Sequence, residues 1–390
     1  MQKFFVTHNN QFAKHSCHKL TTRTPAKTVS AYAKRTYNLN MKKIGIIFGG
    51  KSVEHDVSIV TALQCYQMIK SNFDIKLIYI THDNEFYFVP SNVRPKDFVR
   101  LPKHAKRVKN LQFGVDTIIN CCHGGIGENG QLSAMLLTLG IRYTNADCLS
   151  SMLAMDKSLT KLALKGTKVK TLPAKTYYSL PDKAELDKTA YPVIVKPRSL
   201  GSSIGVVRCD NADDLMRAIQ ADLMYDRACI VEKCIDPLIE YNCAVYQHGE
   251  DLIVSEIEQP VKHDTTLSFA DKYLISAQKG MKGSSRILPA EIDDALRDKI
   301  HNWTLTAYKV LDLKGVVRVD YLFDPATKSL YLNEINTIPG SLAFYLFEPL
   351  GISYVELIKD LIDDCQNSHI TDNKITRFDS QILDIALHKN

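Results

Sequence analysis

The stretch GVVRVDYLFDPATKSLYLNEINTIPG, residues 315–340, decides the reading of this chain. Two strand-like runs flank the breaker PATKS, which predicts a hairpin turning at Thr327. Pairing symmetric about that residue sets Arg318 opposite Asn336 and Asp320 opposite Glu334. Side chains alternate along a strand, so these four share one face while Val319 and Ile335 take the apolar one. Like charges directly opposed across a hairpin are destabilising. Asp320 facing Glu334 therefore calls for a compensating charge, and a divalent cation supplies one. Two carboxylates and the amide of Asn336, with no His or Cys beside them, form a hard-oxygen set suited to Mg²⁺. Arg318 would stabilise negative charge on a reacting carboxylate or phosphoryl group. The same residues also read as a solvated face with an ion pair.

Outward from the hairpin, the chain is long enough, at 390 residues, for two or three packed units. No apolar run approaches about 18 residues, so no membrane span is expected. Ten cysteines include no CxxC pair, which favours reduced, buried thiols in a cytoplasmic protein over a disulfide framework. The net charge of +6 resides in residues 1–40, which hold basic but no acidic side chains; the body is near neutral and shows no nucleic-acid footprint. That arm reads as disordered, targeting or non-native sequence, and Met41 looks like a natural start.

From residue 43, strands IGIIFGG, DIKLIYI and DTIINCC alternate with helices, the first helix capped by Ser52. Such alternation predicts an open, mostly parallel sheet with ligands at the strands' carboxyl ends. AMDKSLTKLALKG reads as one helix. PVIVKP, SIGVVRC, CIVEKCI, EYNCAVYQ and DLIVSEIEQ read as strands, and the polar stretch after residue 262 as a lid or a disordered loop. Gly45 to Ser52 fits the Walker A pattern letter for letter, yet Ile46-Ile47-Phe48 would be the strand itself, which a phosphate loop must follow. VIVKPRSLGSSIGVV, residues 193–207, is the better phosphate candidate: Lys196 ends a strand, and Gly201-Ser202-Ser203 offers exposed amides and hydroxyls. An ordinary hairpin with a glycine turn fits those residues equally well.

FGGKSVEHDVS, HGGIGENGQ, AMDKSLTK, VIVKPRSLGSSIGVV, VEK followed by IEYN, ADKY, and RVDY with LNEINTIPG stand in one order over residues 41–365. In this the chain resembles the D-alanine–D-alanine ligase family of the ATP-grasp superfamily. The resemblance implies an α/β fold: an N-terminal Rossmann-like domain (41–145), then two α+β domains (146–235 and 236–370) sandwiching ATP, with a tail from 371. By analogy, ATP would be held by Lys157, Lys196, Ser202, Ser203, Glu232, Lys233, Ile235, Glu240 and Lys272. Asp320, Glu334 and Asn336 would bind two Mg²⁺ (or Mn²⁺). Glu54 would hold the first D-alanine's ammonium, joined to Ser202 and Tyr273 in a closing network, with His123 near the acceptor. Arg318 and the Gly340 amide would stabilise the oxyanion, and Ser341, Leu342 and Tyr345 would border the acceptor.

The implied product is D-alanyl-D-alanine, a peptidoglycan precursor made through an acyl phosphate, and a homodimer is a family expectation. Taken singly, His123 reads as a satisfied loop histidine, Tyr273 as a packing aromatic and Glu54 as an acid near a helix N-terminus. Two departures stand out. Asn129 replaces the family's usual Asp, and SLAFYLFEP follows Gly340 where many members carry more hydroxyls. D-serine and, less readily, D-lactate are alternative acceptors. Another ATP-grasp ligase, a P-loop protein using Gly45–Ser52 and a nucleic-acid binder working through the arm are the competing readings.

Overall fold

The computed structural model describes residues 43–261 and 286–367. The basic arm, Lys272, Tyr273 and the polar tail lie outside the described residues.

The first sheet has β1 (Lys43–Gly49), β2 (Asp74–Ile80), β3 (Phe86–Val89), β4 (Lys106–Arg107), β5 (Thr117–Asn120) and β6 (Arg142–Tyr143), in the order β4-β3-β2-β1-β5-β6. The predicted strands pair in parallel, β1 with both β2 and β5, and β5 with β6. Strands β3 and β4 add an antiparallel edge that sequence reading does not anticipate. Ile46, Ile47 and Phe48 are wholly buried inside β1. The Walker-like glycine Gly45 is therefore a mid-strand residue, and no phosphate loop exists there. Helix α1 (His55–Ile69) starts after Glu54 rather than at Ser52. Ser52 Oγ instead accepts the Glu54 N–H at 3.0 Å and shapes the entry turn. Two short helices, α2 (Gly125–Glu128) and α3 (Gln131–Thr138), follow β5.

The helix expected over AMDKSLTKLALKG, residues 154–166, is broken near its start: α4 (Cys148–Met155) ends there and α5 (Lys157–Ala163) begins anew. Asp156 separates them: its backbone is extended, and its Oδ1 accepts the N–H groups of Ser158 and Leu159, a side-chain N-cap. A second, antiparallel sheet follows in the order β7-β10-β8-β9. It comprises β7 (Ala174–Tyr177), β8 (Val193–Pro197), β9 (Val207–Cys209) and β10 (Cys229–Lys233), with α6 (Lys183–Leu186) after β7 and α7 (Ala212–Tyr225) after β9. Asn211 caps α7 through the Asp214 N–H.

The third sheet contains β11 (Ile239–His248), β12 (Asp251–Pro260), β13 (Arg286–Ile287), β14 (Val317–Asp324) and β15 (Ser329–Asn336), ordered β13-β12-β11-β14-β15 and antiparallel throughout. Helix α8 (Asp294–Val310) covers its apolar face, where Val319, Tyr321, Leu332 and Ile335 pack with Trp303 and Ala307. Helix α9 (Tyr354–Asn367) ends the described chain. Each sheet has its own buried apolar cluster. No single described helix is long and apolar enough to cross a membrane. Every described cysteine is a free thiol.

The β14–β15 hairpin has the expected register at its open end, Arg318 with Asn336 and Asp320 with Glu334. Beyond that it slips by one, to Tyr321 with Leu332. The extra residue is Asn333, a bulge, and the turn is centred between Ala326 and Thr327 rather than on Thr327.

Candidate active site

The three sheets converge on a cleft lined by charges from five segments. On the first unit, Glu54 sits at the mouth of α1, buried, and Ser202 Oγ donates a short hydrogen bond to its Oε1 across 148 positions of sequence. Burial pushes the Glu54 carboxyl above the usual range, and Glu334 adds to this; Ser202, Lys157 and Arg318 work against it. A cavity of about 290 Å³ opens beside it, lined among others by Ser52, Gly124, Met155, Leu200 and Gly201. Gly124 has φ +61°, and a Cβ there would lie 2.6 Å from Glu54 Oε2, so only glycine lets this loop close on the acid.

The lysines are set by Asp156. Its carboxylate caps α5, which begins with Lys157, and also grips Arg198 Nε at 2.6 Å, two residues beyond Lys196. Lys157 N–H donates to the Arg198 carbonyl at 3.0 Å, fixing helix start to strand end. The Lys157 ammonium then reaches the Leu200 carbonyl at 2.6 Å and lies 3.6 Å from Glu334. Lys196 lies 2.6 Å from Glu232 and donates to Asn333 Oδ1 at 2.8 Å. Lys161, one turn beyond Lys157, lies 2.5 Å from the other oxygen of Glu232. Burial raises the Glu232 carboxyl, but the two ammoniums together outweigh it and hold the group ionised, below its ordinary value.

On the hairpin, Arg318 holds Asp320 with two bonds, 2.6 and 2.7 Å, and Asn336 Nδ2 donates to Asp320 Oδ2 at 3.1 Å. Burial nevertheless pushes Asp320 up to about 6, with Glu334 and Glu240 adding to the rise. Glu334 goes the other way, because Lys157, Lys196 and Arg318 outweigh its burial. Among the described residues no cluster of three or more His, Cys, Asp or Glu side chains is arranged for a metal. The oxygen set here is two acids and an amide, and the charge crowding at Asp320 is what a hard divalent cation relieves. These residues fit Mg²⁺.

His123 is buried beneath the same cleft. Its Nε2 is 2.8 Å from Thr61 Oγ1, and its main-chain N–H donates to Ser58 Oγ at 2.7 Å. Burial lowers its pKa to about 4, with Arg318 pressing the same way against a main-chain bond at Ile338. The imidazole is neutral. Glu128, near it, is pushed well up by burial and by Glu54.

The sequence matches the model of the D-ala D-ala ligase N-terminus over residues 43–146 and that of the D-ala D-ala ligase C-terminus over residues 166–363. The chain belongs to the D-alanine–D-alanine ligase family. The D-alanine–D-alanine ligase of Thermosipho melanesiensis is 36% identical, over 90% of this chain and 100% of the relative. Of solved structures, the D-alanine–D-alanine ligase of Helicobacter pylori aligns with a TM-score of 0.69 at 27% identity, covering 83% of this chain and 98% of that one. The VanG D-Ala:D-Ser ligase of Enterococcus faecalis aligns with 0.68 at 27% identity, covering 82% and 98%.

Within this ligase fold the structure brings Glu54, Ser202, Lys157, Lys196, Glu232, Arg318, Asp320, Glu334 and Asn336 into one cleft. Glu240 also faces Asp320, whereas Lys233 is exposed at the end of β10 and Ile235 follows it half-buried. Ser202 and Ser203 form a left-handed turn, φ +54° and +59°. Asn129, the departure from the family pattern, caps α2 and accepts the Gln131 N–H at 3.1 Å, a turn-forming role.

Gly340 opens a 3₁₀ segment to Leu346, in which Ser341, Leu342 and Ala343 are all left-handed, φ +50° to +53°. Left-handed backbone costs roughly 1–2 kcal/mol per non-glycine residue, so roughly 3–6 kcal/mol is held there by the surroundings. Ser341 Oγ donates to Gln64 at 2.7 Å, Leu342 is buried, and Tyr345 OH donates to Glu258 at 2.9 Å.

Sequence reading missed Lys161, Asn333, Glu128 and Glu258. For Lys161 a signal existed, the i,i+4 spacing from Lys157. For Asn333 there was none, because a bulge is invisible in the alternation it interrupts.

Proposed function

We propose that this site joins two D-alanines at the expense of ATP, with the following division of labour. Support comes chiefly from the Glu54–Ser202 bond, which draws the Gly201–Ser203 loop onto a small cavity beside two buried lysines. Glu54 holds the ammonium of the first D-alanine there. Lys157 and Lys196, drawn from Glu334 and Glu232, meet the phosphates of ATP, and Ser202 and Ser203 cover them. Lys233, Ile235 and Glu240 border the nucleoside.

The first D-alanine's carboxylate attacks the γ-phosphate, giving an acyl phosphate and ADP. The neutral amine of the second D-alanine then attacks the carbonyl, and phosphate leaves. Arg318 and the Gly340 N–H offer donors to the developing oxyanion. Asp320, Glu334 and Asn336 would hold Mg²⁺ (or Mn²⁺), which when bound neutralises phosphate charge. His123 acts as an uncharged hydrogen-bonding group, since burial keeps the proton off it. Ser341, Leu342 and Tyr345 border the acceptor; by family analogy Lys272 joins the ATP contacts and Tyr273 the Glu54–Ser202 network. Separate apolar clusters under the three sheets support division into three units near residues 145 and 235, with the segment holding Ala146, Ala154, Leu164 and Val169 packing into the third sheet's cluster rather than the second's. A cytoplasmic location and a homodimer complete the reading.

Incubation with ATP, Mg²⁺ and mixed D-alanine, D-serine and D-lactate, followed by mass spectrometry, tests it. Phosphate release with a D-alanyl-D-alanine mass is expected. No product at saturating D-alanine would sink the proposal, and a D-alanyl-D-serine mass in excess would reassign the acceptor.

A further inference from the structure

One row of the third sheet carries more than the hairpin. Register places Glu258 beside Asn242, Asn242 beside Asp320, and Asp320 beside Glu334, so the line of polar residues runs across four strands. Strand alternation puts them on the face away from α8. Glu258 is the far end of that line and is 4% exposed.

Each oxygen of Glu258 is engaged. Oε2 accepts from Tyr345 OH at 2.9 Å and from Asn242 Nδ2 at 3.1 Å, while Oε1 lies 3.1 Å from the Arg286 guanidinium. That guanidinium also sits 4.4 Å from the centre of the Tyr345 ring. Glu258 therefore ties the row bearing Asp320 to the segment bearing Gly340. Tyr345 is the second anchor of a strained left-handed turn whose first is the Ser341–Gln64 bond. Strain of this kind persists only where neighbours over-determine it. Glu258 and Tyr345 also contribute to the field at Arg318, both favouring its charged form.

We propose that Glu258 is a positioning residue for the second half of the reaction, holding Tyr345 and the turn after Gly340 in register with Arg318 and Asp320. The inference rests on the ligase reading. Formation of the acyl phosphate uses Glu54, Lys157, Lys196, the serine loop and the metal-binding set Asp320, Glu334 and Asn336, none of which is among the partners of Glu258, namely Tyr345, Asn242 and Arg286. Attack by the second amine needs the turn in place, because the proposed reading sets the Gly340 N–H at the oxyanion and Ser341, Leu342 and Tyr345 at the acceptor.

The two halves separate with hydroxylamine, a small nucleophile without a carboxylate, which traps the acyl phosphate as a hydroxamate. In Glu258→Gln and Tyr345→Phe, hydroxamate formation from D-alanine and ATP is expected within twofold of wild type. Dipeptide formation is expected to fall at least tenfold in kcat/KM, with the KM for the acceptor raised. A parallel fall in both rates would show a merely structural residue and overturn the proposal, as would no change in either. Tyr345→Phe removes a single hydroxyl and guards against a folding failure in the buried acid variant. If wild type makes neither dipeptide nor hydroxamate, the ligase reading fails and this inference with it.

Discussion

Replacing His123 by Gln should flatten the acid limb of the stability curve. In the folded chain burial holds this imidazole at about 4 against an ordinary 6.5. Between those values the unfolded chain binds a proton that the folded chain refuses, so stability rises with pH. Equivalently, stability is lost as pH falls from about 6.5 and levels off below about 4. At roughly 1.4 kcal/mol per pH unit, the histidine alone contributes a loss of about 3 kcal/mol across that window. Glutamine does not titrate and can still bond Thr61 and the Ile338 main chain. Urea titrations at half-unit steps from pH 7.5 to 4, on both proteins, give the difference curve directly. The absolute stability of the variant matters less than its slope. Curves that fall in parallel would refute the argument, as would an imidazole NMR signal titrating near 6.5.

Three further substitutions probe the lysine end. Glu232→Gln leaves the ammoniums of Lys161 and Lys196, 12% and 7% exposed, without their shared counter-charge. Breaking a buried pair costs about 3–5 kcal/mol, and urea unfolding should show it, with part of the loss recovered on adding ATP; a loss under about 1 kcal/mol would contradict the assignment. Asn333→Ala removes an acceptor from Lys196, a bond to a charged group worth about 1.5–3 kcal/mol, and should raise the KM for ATP about tenfold or more with little change in kcat. Gly205→Ala places a Cβ 2.4 Å from Asp222 Oδ1 and 2.6 Å from Pro197 Cγ at φ +74°. It should displace the serine loop and lower kcat/KM for ATP at least tenfold, while circular dichroism stays unchanged.

The hairpin was legible because its alternation is regular at the end that carries the charged residues: Asp320 and Glu334 could be paired by counting. Counting failed at Asn333, since one inserted residue leaves the apolar positions on either side looking regular. The break at Asp156 was hidden by helix-favouring residues on both sides, although an Asp directly before Lys-Ser-Leu-Thr is a cap signal in its own right. The edge strands β3 and β4 are short and take their stability from pairing with β2, a tertiary effect that local pattern does not carry. Contacts such as Glu54 with Ser202 and Tyr345 with Glu258 join segments far apart in the chain. The family motifs brought the first pair together. Nothing in the motifs pointed to the second.

The ion pairs in the cleft have a consequence for selectivity. Each of these cations of the cleft already faces a carboxylate: Lys157 faces Glu334, Lys196 and Lys161 face Glu232, and Arg318 faces Asp320. Those carboxylates act as resident competitors of any incoming anion. A small anion such as inorganic phosphate must displace them with few contacts elsewhere, and should protect the protein little against heat. ATP brings a base, a sugar and a metal that can take over the displaced acids, so the cleft discriminates by asking its ligand to re-pair every charge at once.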